Sequence, residues 1–170
     1  MIIIGYRKDI RKKFDFDKLQ KKEIVSLENT IKDLPESKKA KDKNKPNKDL
    51  KVPNHEHMNG GFSTIYMSRN RRKNWDEPSF TIQAGGRHAP LHPSSNRMIK
   101  VGKDKWEFEN DNPKHRRLSV RECARIQTFP DTFIFYYNNL SKGYKMIGNA
   151  VPIKLAEILA KQIKEDLETE

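Results

Sequence analysis

Hydrophobic and polar positions along this chain fall in short, uneven blocks, and a few of them keep a period that predicts an element. Ile2-Ile3-Ile4, followed by Gly5-Tyr6 and the charged turn Arg7-Lys8-Asp9, predicts a short strand buried on both faces. Its neighbours in a sheet would come from later in the chain or from another chain. Phe14, Phe16, Leu19, Ile24, Val25, Leu27, Ile31 and Leu34 are spaced among many charges, which predicts one short amphipathic helix near Lys22 to Lys32. From Pro35 to Pro53 the chain is Lys, Asp, Asn and Pro with almost nothing apolar, a solvated loop, linker or disordered segment.

Phe62-Ser-Thr-Ile-Tyr-Met67 and Ser79-Phe-Thr-Ile-Gln83 are rich in β-formers and predict strands of a small sheet, the second broken by Gly85-Gly86. Met98 to Val101 and Lys105 to Glu109 predict two more strands around the turn Gly102-Lys103-Asp104. Ser119-Val-Arg-Glu122 is a capping box, so a helix starts at Val120 and runs to about Thr128, before Phe129-Pro130. Leu118 and Cys123 sit where a hydrophobic staple would. Pro152 suits a first helical turn, and Leu155, Ile158, Leu159, Ile163 and Leu167 share one face of a final helix.

Composition narrows this picture. The chain has 170 residues, of which 34% are hydrophobic and 34% charged, so it reads as one domain with a small core and extensive polar surface. The excess of 35 Lys and Arg over 23 Asp and Glu gives a formal charge of +12. That balance suits a polyanionic partner or simply a soluble basic surface. The one cysteine, Cys123, excludes an internal disulfide and a multi-cysteine metal site. No apolar run approaches the roughly 20 residues of a membrane span, so no membrane partner and a cytoplasmic location are expected. His55, His57, His88 and His92 are far apart and lack a Cys-x-x-Cys, so no metal is expected.

Two motifs sharpen the reading. Arg116-Arg-Leu-Ser-Val-Arg-Glu-Cys-Ala-Arg-Ile-Gln-Thr-Phe-Pro-Asp131 and, a dozen residues on, Gly143-Tyr-Lys-Met-Ile-Gly-Asn-Ala-Val-Pro-Ile-Lys-Leu155 resemble the ninth and tenth motifs of the DNA (cytosine-5)-methyltransferases. In the tenth motif of that family a glycine-asparagine turn leads into a helix beside S-adenosylmethionine. The resemblance therefore implies that Asn149 and Ala150 line the cofactor pocket. On chemistry alone Gly148 permits close backbone approach and amides at a helix start suit a carboxylate, although a Gly-Asn pair is more often a plain cap. Ile2 to Asp9 looks like the closing strand of the eighth motif.

Trp75-Asp-Glu-Pro-Ser-Phe-Thr-Ile-Gln-Ala-Gly-Gly-Arg87 resembles the variable target-recognition region, with Thr81-Ile82 as the pair facing the DNA. Gln83 and Arg87 have side chains able to read adenine and guanine edges, and Gly85-Gly86 lets backbone approach nucleic acid. Arg69, Arg71, Arg72 and Lys73, beside Tyr66 and Trp75, form a basic cluster fit for phosphates. Without the resemblance, Phe80 and Ile82 read as core strand residues and the arginines as solvated.

The family's Pro-Cys nucleophile, Glu-Asn-Val and Gln-x-Arg-x-Arg segments and its glycine-rich cofactor turn do not occur in this sequence. Cys123 falls at a packing position of a helix, so no catalytic residue is assigned and the chain is expected to be inactive alone. The resemblance thus covers the family's C-terminal part. It implies an α/β fold, mixed α+β in isolation. Residues 1–13 would be a closing strand, 14–115 a target-recognition region with a loop near 35–53, 116–137 the ninth-motif helix, and 138–170 a return to a Rossmann-like catalytic domain. The expected partners are double-stranded DNA and a catalytic methyltransferase polypeptide, unless that half is lost. The function implied is recognition of the DNA target for cytosine methylation in a restriction-modification system. The alternatives are a stand-alone DNA-binding module and an inactive remnant.

Overall fold

A computed structural model describes residues 2–20, 22–110 and 115–168 and shows a mixed helix-and-strand chain. It divides into two compact units, Ile24–Ala150 and the pairing of Met1–Glu23 with Val151–Glu170.

In the larger unit the core forms around α2 (Val120–Ile126), five of whose seven residues are buried. The capping box explains where α2 begins: Ser119 Oγ accepts from the Glu122 amide and Glu122 returns a bond to the Ser119 amide. α2 ends at Ile126, with Gln127 closing the turn. Leu118, Val120, Cys123 and Ala124 pack there with Leu27 and Ile31 of α1 (Leu27–Ile31) and with Leu140, Tyr144 and Ile147 of α3 (Leu140–Asn149). α1 is shorter than its apolar spacing predicts. Ser26 caps it, and its first amides, on Leu27 and Glu28, reach the carbonyls of Glu77 and Trp75, so residues 22–25 stay outside the helix.

The segment 35–53 is a loop pinned to the core. β1 (Lys38–Lys39) pairs in parallel with β2 (Glu56–His57), and the buried Glu56 carboxylate accepts from the Asn47 amide at 2.6 Å and from Tyr137 Oη at 3.0 Å. Low apolar content predicted solvation here, but a buried carboxylate with three donors orders a loop without apolar residues.

β3 (Met98–Gly102) and β4 (Lys105–Phe108) form the expected antiparallel hairpin, with Asp104 left-handed in its turn. Beneath it lies a second cluster of Tyr66, Leu91 and Met98 with Phe62, Trp106 and Phe108. Two expected strands are absent. In 62–67 the Ser63 hydroxyl accepts from the Tyr66 amide, starting a 3-10 turn over Tyr66–Ser68 that stacks Phe62 on Tyr66 at 5.0 Å. Residues 79–83 keep a strand's alternation of burial but join no ladder.

In the smaller unit, Ile2 to Ile4 form no strand, and Ile2 and Ile3 are exposed; an apolar β-branched run becomes a strand only with a ladder partner. Tyr6 Oη donates to Asp166 Oδ2 at 2.5 Å and Lys12 Nζ to the Asp166 carbonyl, tying this segment to α4 (Ile153–Glu168). Pro152 lies one residue before α4, its carbonyl accepting from the Ala156 amide. Leu155, Ile158, Leu159 and Ile163 are half-buried and Leu167 is exposed. Among the described residues no helix is long and apolar enough to cross a membrane.

Candidate nucleic-acid interface

Three charged residues of α2, Arg121, Glu122 and Arg125, set the frame. Glu122 receives both terminal nitrogens of Arg116 at 2.8 Å, in addition to the Ser119 amide. Burial pushes its carboxyl up, but the hydrogen bonds and charge of Arg116 outweigh this and hold it down to about 2. Arg121, fully buried, donates to the carbonyls of Pro53, Pro130 and Phe133 and to Asn54 Oδ1, gathering two loops onto the helix. Arg125 pairs with Asp131 at 2.6 Å and with Asp33 at 2.5 Å. Charged positions in a seven-residue helix read as surface from sequence, so nothing local announced that carbonyls would converge on Arg121.

On this frame the segment 81–87 splits by exposure. Thr81, Gln83 and Arg87 are exposed, Gly85 is half-buried and Gly86 is buried. Ile82, expected to face DNA beside Thr81, is 5% exposed and packs in the main core, because the alternation places successive side chains on opposite faces. Thr81 and Gln83 line a cleft of 250 Å³ together with Arg69, Asn70, Phe80 and His88. Arg87 lies elsewhere, in a second cleft with Arg117.

The basic cluster splits too. Arg69 is exposed. Arg71 is buried, its Nε donating to the Tyr66 carbonyl at 3.0 Å and its guanidinium lying over the Tyr66 ring. Arg72 donates to the carbonyls of Pro93 and Ser95 and to Asn74 Oδ1. Both guanidinia are thus held by internal acceptors, and Arg71 also lines the cleft of Thr81 and Gln83. Lys73 pairs with Glu77 at 2.7 Å.

Gly148 and Gly86 explain how the exposed loop is seated. A Cβ on Gly148 would lie 2.4 Å from the Ala84 nitrogen and the Gln83 carbonyl carbon, and one on Gly86 would lie 2.6 Å from the Tyr144 ring. Thus α3 carries the loop by direct backbone contact. The Gly-Asn pair of Gly143–Asn149 is part of α3 rather than a turn that opens a helix. Asn149 ends α3 exposed, and Ala150 follows in extended conformation. This removes the argument that helix-start amides here suit a carboxylate, since a helix C-terminus presents carbonyls.

A family model for the C-5 cytosine-specific DNA methylases matches residues 1–165. The chain belongs to that family. It is 64% identical over 171 residues to the Type II methyltransferase M.MthTI of Methanothermobacter thermautotrophicus, a match that covers 99% of this chain and 51% of that protein. M.FnuDI of Fusobacterium nucleatum is 51% identical, covering 96% of this chain and 49% of the relative. M.NgoPII of Neisseria gonorrhoeae is 46% identical, at 97% and 50%. The chain therefore spans about half the length of these relatives.

For a methylase chain the state of its cysteine matters. Cys123 is completely buried among Leu118, Val120 and Tyr144, and burial, then the Glu122 charge, push its thiol well above the ordinary range. A thiolate nucleophile needs the opposite environment. We expect Cys123 to resist a thiol reagent in the native chain and to react once the chain is unfolded in urea. Stoichiometric labelling of the native chain within minutes would contradict this placement.

Among the described residues no three His, Cys, Asp or Glu side chains converge on a metal site. His55 bonds Ser119 Oγ and the Pro35 carbonyl, His57 bonds Ser37, and His92 bonds Ser94 with its ring edge-on to Trp75. His88 lines the Thr81 cleft.

Proposed function

We propose that this chain is the target-recognising, C-terminal portion of a DNA (cytosine-5)-methyltransferase. It acts in the cytoplasm on double-stranded DNA as part of a restriction-modification system, and a catalytic polypeptide supplies the nucleophile and most of the cofactor site. The observation that carries this reading is the cleft of Arg69, Thr81, Gln83 and His88, where exposed donors and acceptors stand on a bed fixed by Ile82 and α3. Gln83 offers the paired donor and acceptor that match an adenine edge, and Arg69 a charge for phosphate. Gly85 and Gly86 shape the loop, and Arg71 and Arg72 act as its internal braces.

S-adenosylmethionine would supply the methyl group. Asn149 and Ala150 fit one edge of its site, because an exposed carboxamide beside a single methyl leaves room for a ligand and offers it a hydrogen bond. Cys123 takes no part in the chemistry, and the chain alone transfers no methyl group.

The test is fluorescence anisotropy of the chain with duplexes of varied sequence, at several salt concentrations. Gln83→Ala should flatten the difference between the best and the average sequence by about 1 to 3 kcal/mol, a lost bidentate contact, and Thr81→Ala should flatten it by less. Arg69→Ala should weaken all sequences alike and lower the salt slope by about one. Sequence-blind binding that ignores Gln83→Ala would sink the proposal.

A further inference from the structure

Arg117 is a buried cation. It is 4% exposed, its terminal nitrogens donate to the Gly60 and Gly61 carbonyls at 3.3 and 2.9 Å, and its guanidinium lies over the rings of Phe62 and Tyr66. Among the described residues its buried Nε has no hydrogen-bond partner. Among the described residues no carboxylate pairs with Arg117, and the charged neighbour that acts on it is another cation, Arg87. The two arginines line one cleft of 330 Å³ with Asn59, Asn139 and Ser141. Asn139 caps α3, so the positive end of that ten-residue helix also opens into the cleft.

We propose that this cleft is a seat for a phosphate group, bridged between Arg87 and Arg117 at the N-terminus of α3. A purely structural Arg117 would be satisfied by the two carbonyls and the rings, but those acceptors leave its charge uncompensated. They also give no reason for a second arginine to stand beside it. Phosphate answers each point, because its several oxygens accept from two guanidinia at once beside the positive end of α3, and its charge balances both cations. A carboxylate, with two oxygens and one charge, balances only one. The chemistry is shared by a DNA phosphodiester and a free phosphate ligand. The first source rests on the DNA-binding reading above, whereas the seat itself does not.

The test follows the Arg117 Nε–H resonance of the ¹⁵N-labelled chain during separate titrations with a short DNA duplex and with inorganic phosphate. A saturable shift with the duplex assigns the seat to the DNA backbone, and one with inorganic phosphate alone assigns it to a small phosphate ligand even if the chain binds no DNA. Arg87 is exposed, so Arg87→Gln leaves the fold intact and should weaken whichever titration moves Arg117 by about tenfold, the loss of one charge-assisted contact. An Arg117 resonance unmoved by both probes, or a titration unchanged by Arg87→Gln, would overturn the proposal.

Discussion

Glu122→Gln is expected to destabilise the Ile24–Ala150 unit by about 3 to 5 kcal/mol, the cost of leaving a buried charge unpaired. Glu122 is 1% exposed and uses both oxygens: each meets one nitrogen of Arg116, and one also takes the Ser119 amide that starts α2. A glutamine must turn an amide nitrogen toward donors that already point inward, so Arg116 loses its counter-ion and the capping box one acceptor. The same residue sets the acid end of the stability curve. Its folded value of about 2 lies below the ordinary 4.5, so its contribution is complete above pH 4.5 and is lost as pH falls toward 2. His57 and His92 act in an earlier window. Burial above all holds each down to about 4 from 6.5, so between those values the unfolded chain binds protons that the folded chain refuses. Urea unfolding from pH 8 to pH 2.5 should therefore show stability flat above about pH 6.5, falling to pH 4, and falling again below pH 4.5. Glu122→Gln should start lower and show a smaller last step, the remainder coming from Asp33, Asp131 and Glu77, which their partners also hold down. A variant as stable as the parent at pH 7, or a parent unaffected between pH 7 and pH 4, would show that these groups are not held as described.

How much of this was legible in the sequence depended on how local the cause was. The capping box of α2, the β3–β4 hairpin and the stripe of α4 are written within a few residues, and each lies close to where its pattern put it. The strands expected at 2–4, 62–67 and 79–83 share a different fault. Their residues favour extended backbone, but a strand also needs a ladder partner, which composition does not disclose. The arginines show the same limit. Arg69, Arg71 and Arg72 are alike in sequence, yet one is solvated, Arg71 is held by the nearby Tyr66 carbonyl and Arg72 by carbonyls more than twenty residues away. Arg117 and Arg121 escaped notice because their role depends on carbonyls brought from residues about 57 and 68 positions away. Of the segment 81–87, Thr81 and Gln83 are exposed, while the core took Ile82.

Gly148→Ala should disturb DNA recognition more than its single methyl suggests. The added Cβ would stand 2.4 Å from the Ala84 nitrogen and from the Gln83 carbonyl carbon, and 2.5 Å from the Gln83 carbonyl oxygen. All three are backbone atoms, so no side chain can rotate away and the loop itself must shift. The displacement is not easily absorbed elsewhere, because Ile82 is locked in the core and Gly86 is already against the Tyr144 ring. Overpacking of this kind costs about 1 to 3 kcal/mol in stability. The larger consequence falls on Gln83, whose backbone moves by roughly 1 Å to restore a van der Waals gap, enough to spoil a bidentate contact. Discrimination between the preferred and an unrelated duplex should then fall by about tenfold, within the 1 to 3 kcal/mol of one base contact. Affinity for the unrelated duplex, which the proposed function assigns to Arg69, should hold. Gly86→Ala makes a useful comparison, since one of its neighbours is the flexible Met58 methyl, but the Tyr144 ring at 2.6 Å must still yield. The measurement is paired anisotropy on the two duplexes, together with hydrogen exchange at the amide of Ala84. Parent-like discrimination with unchanged exchange would mean that the loop does not rest on α3 at Gly148, and that its geometry is set elsewhere.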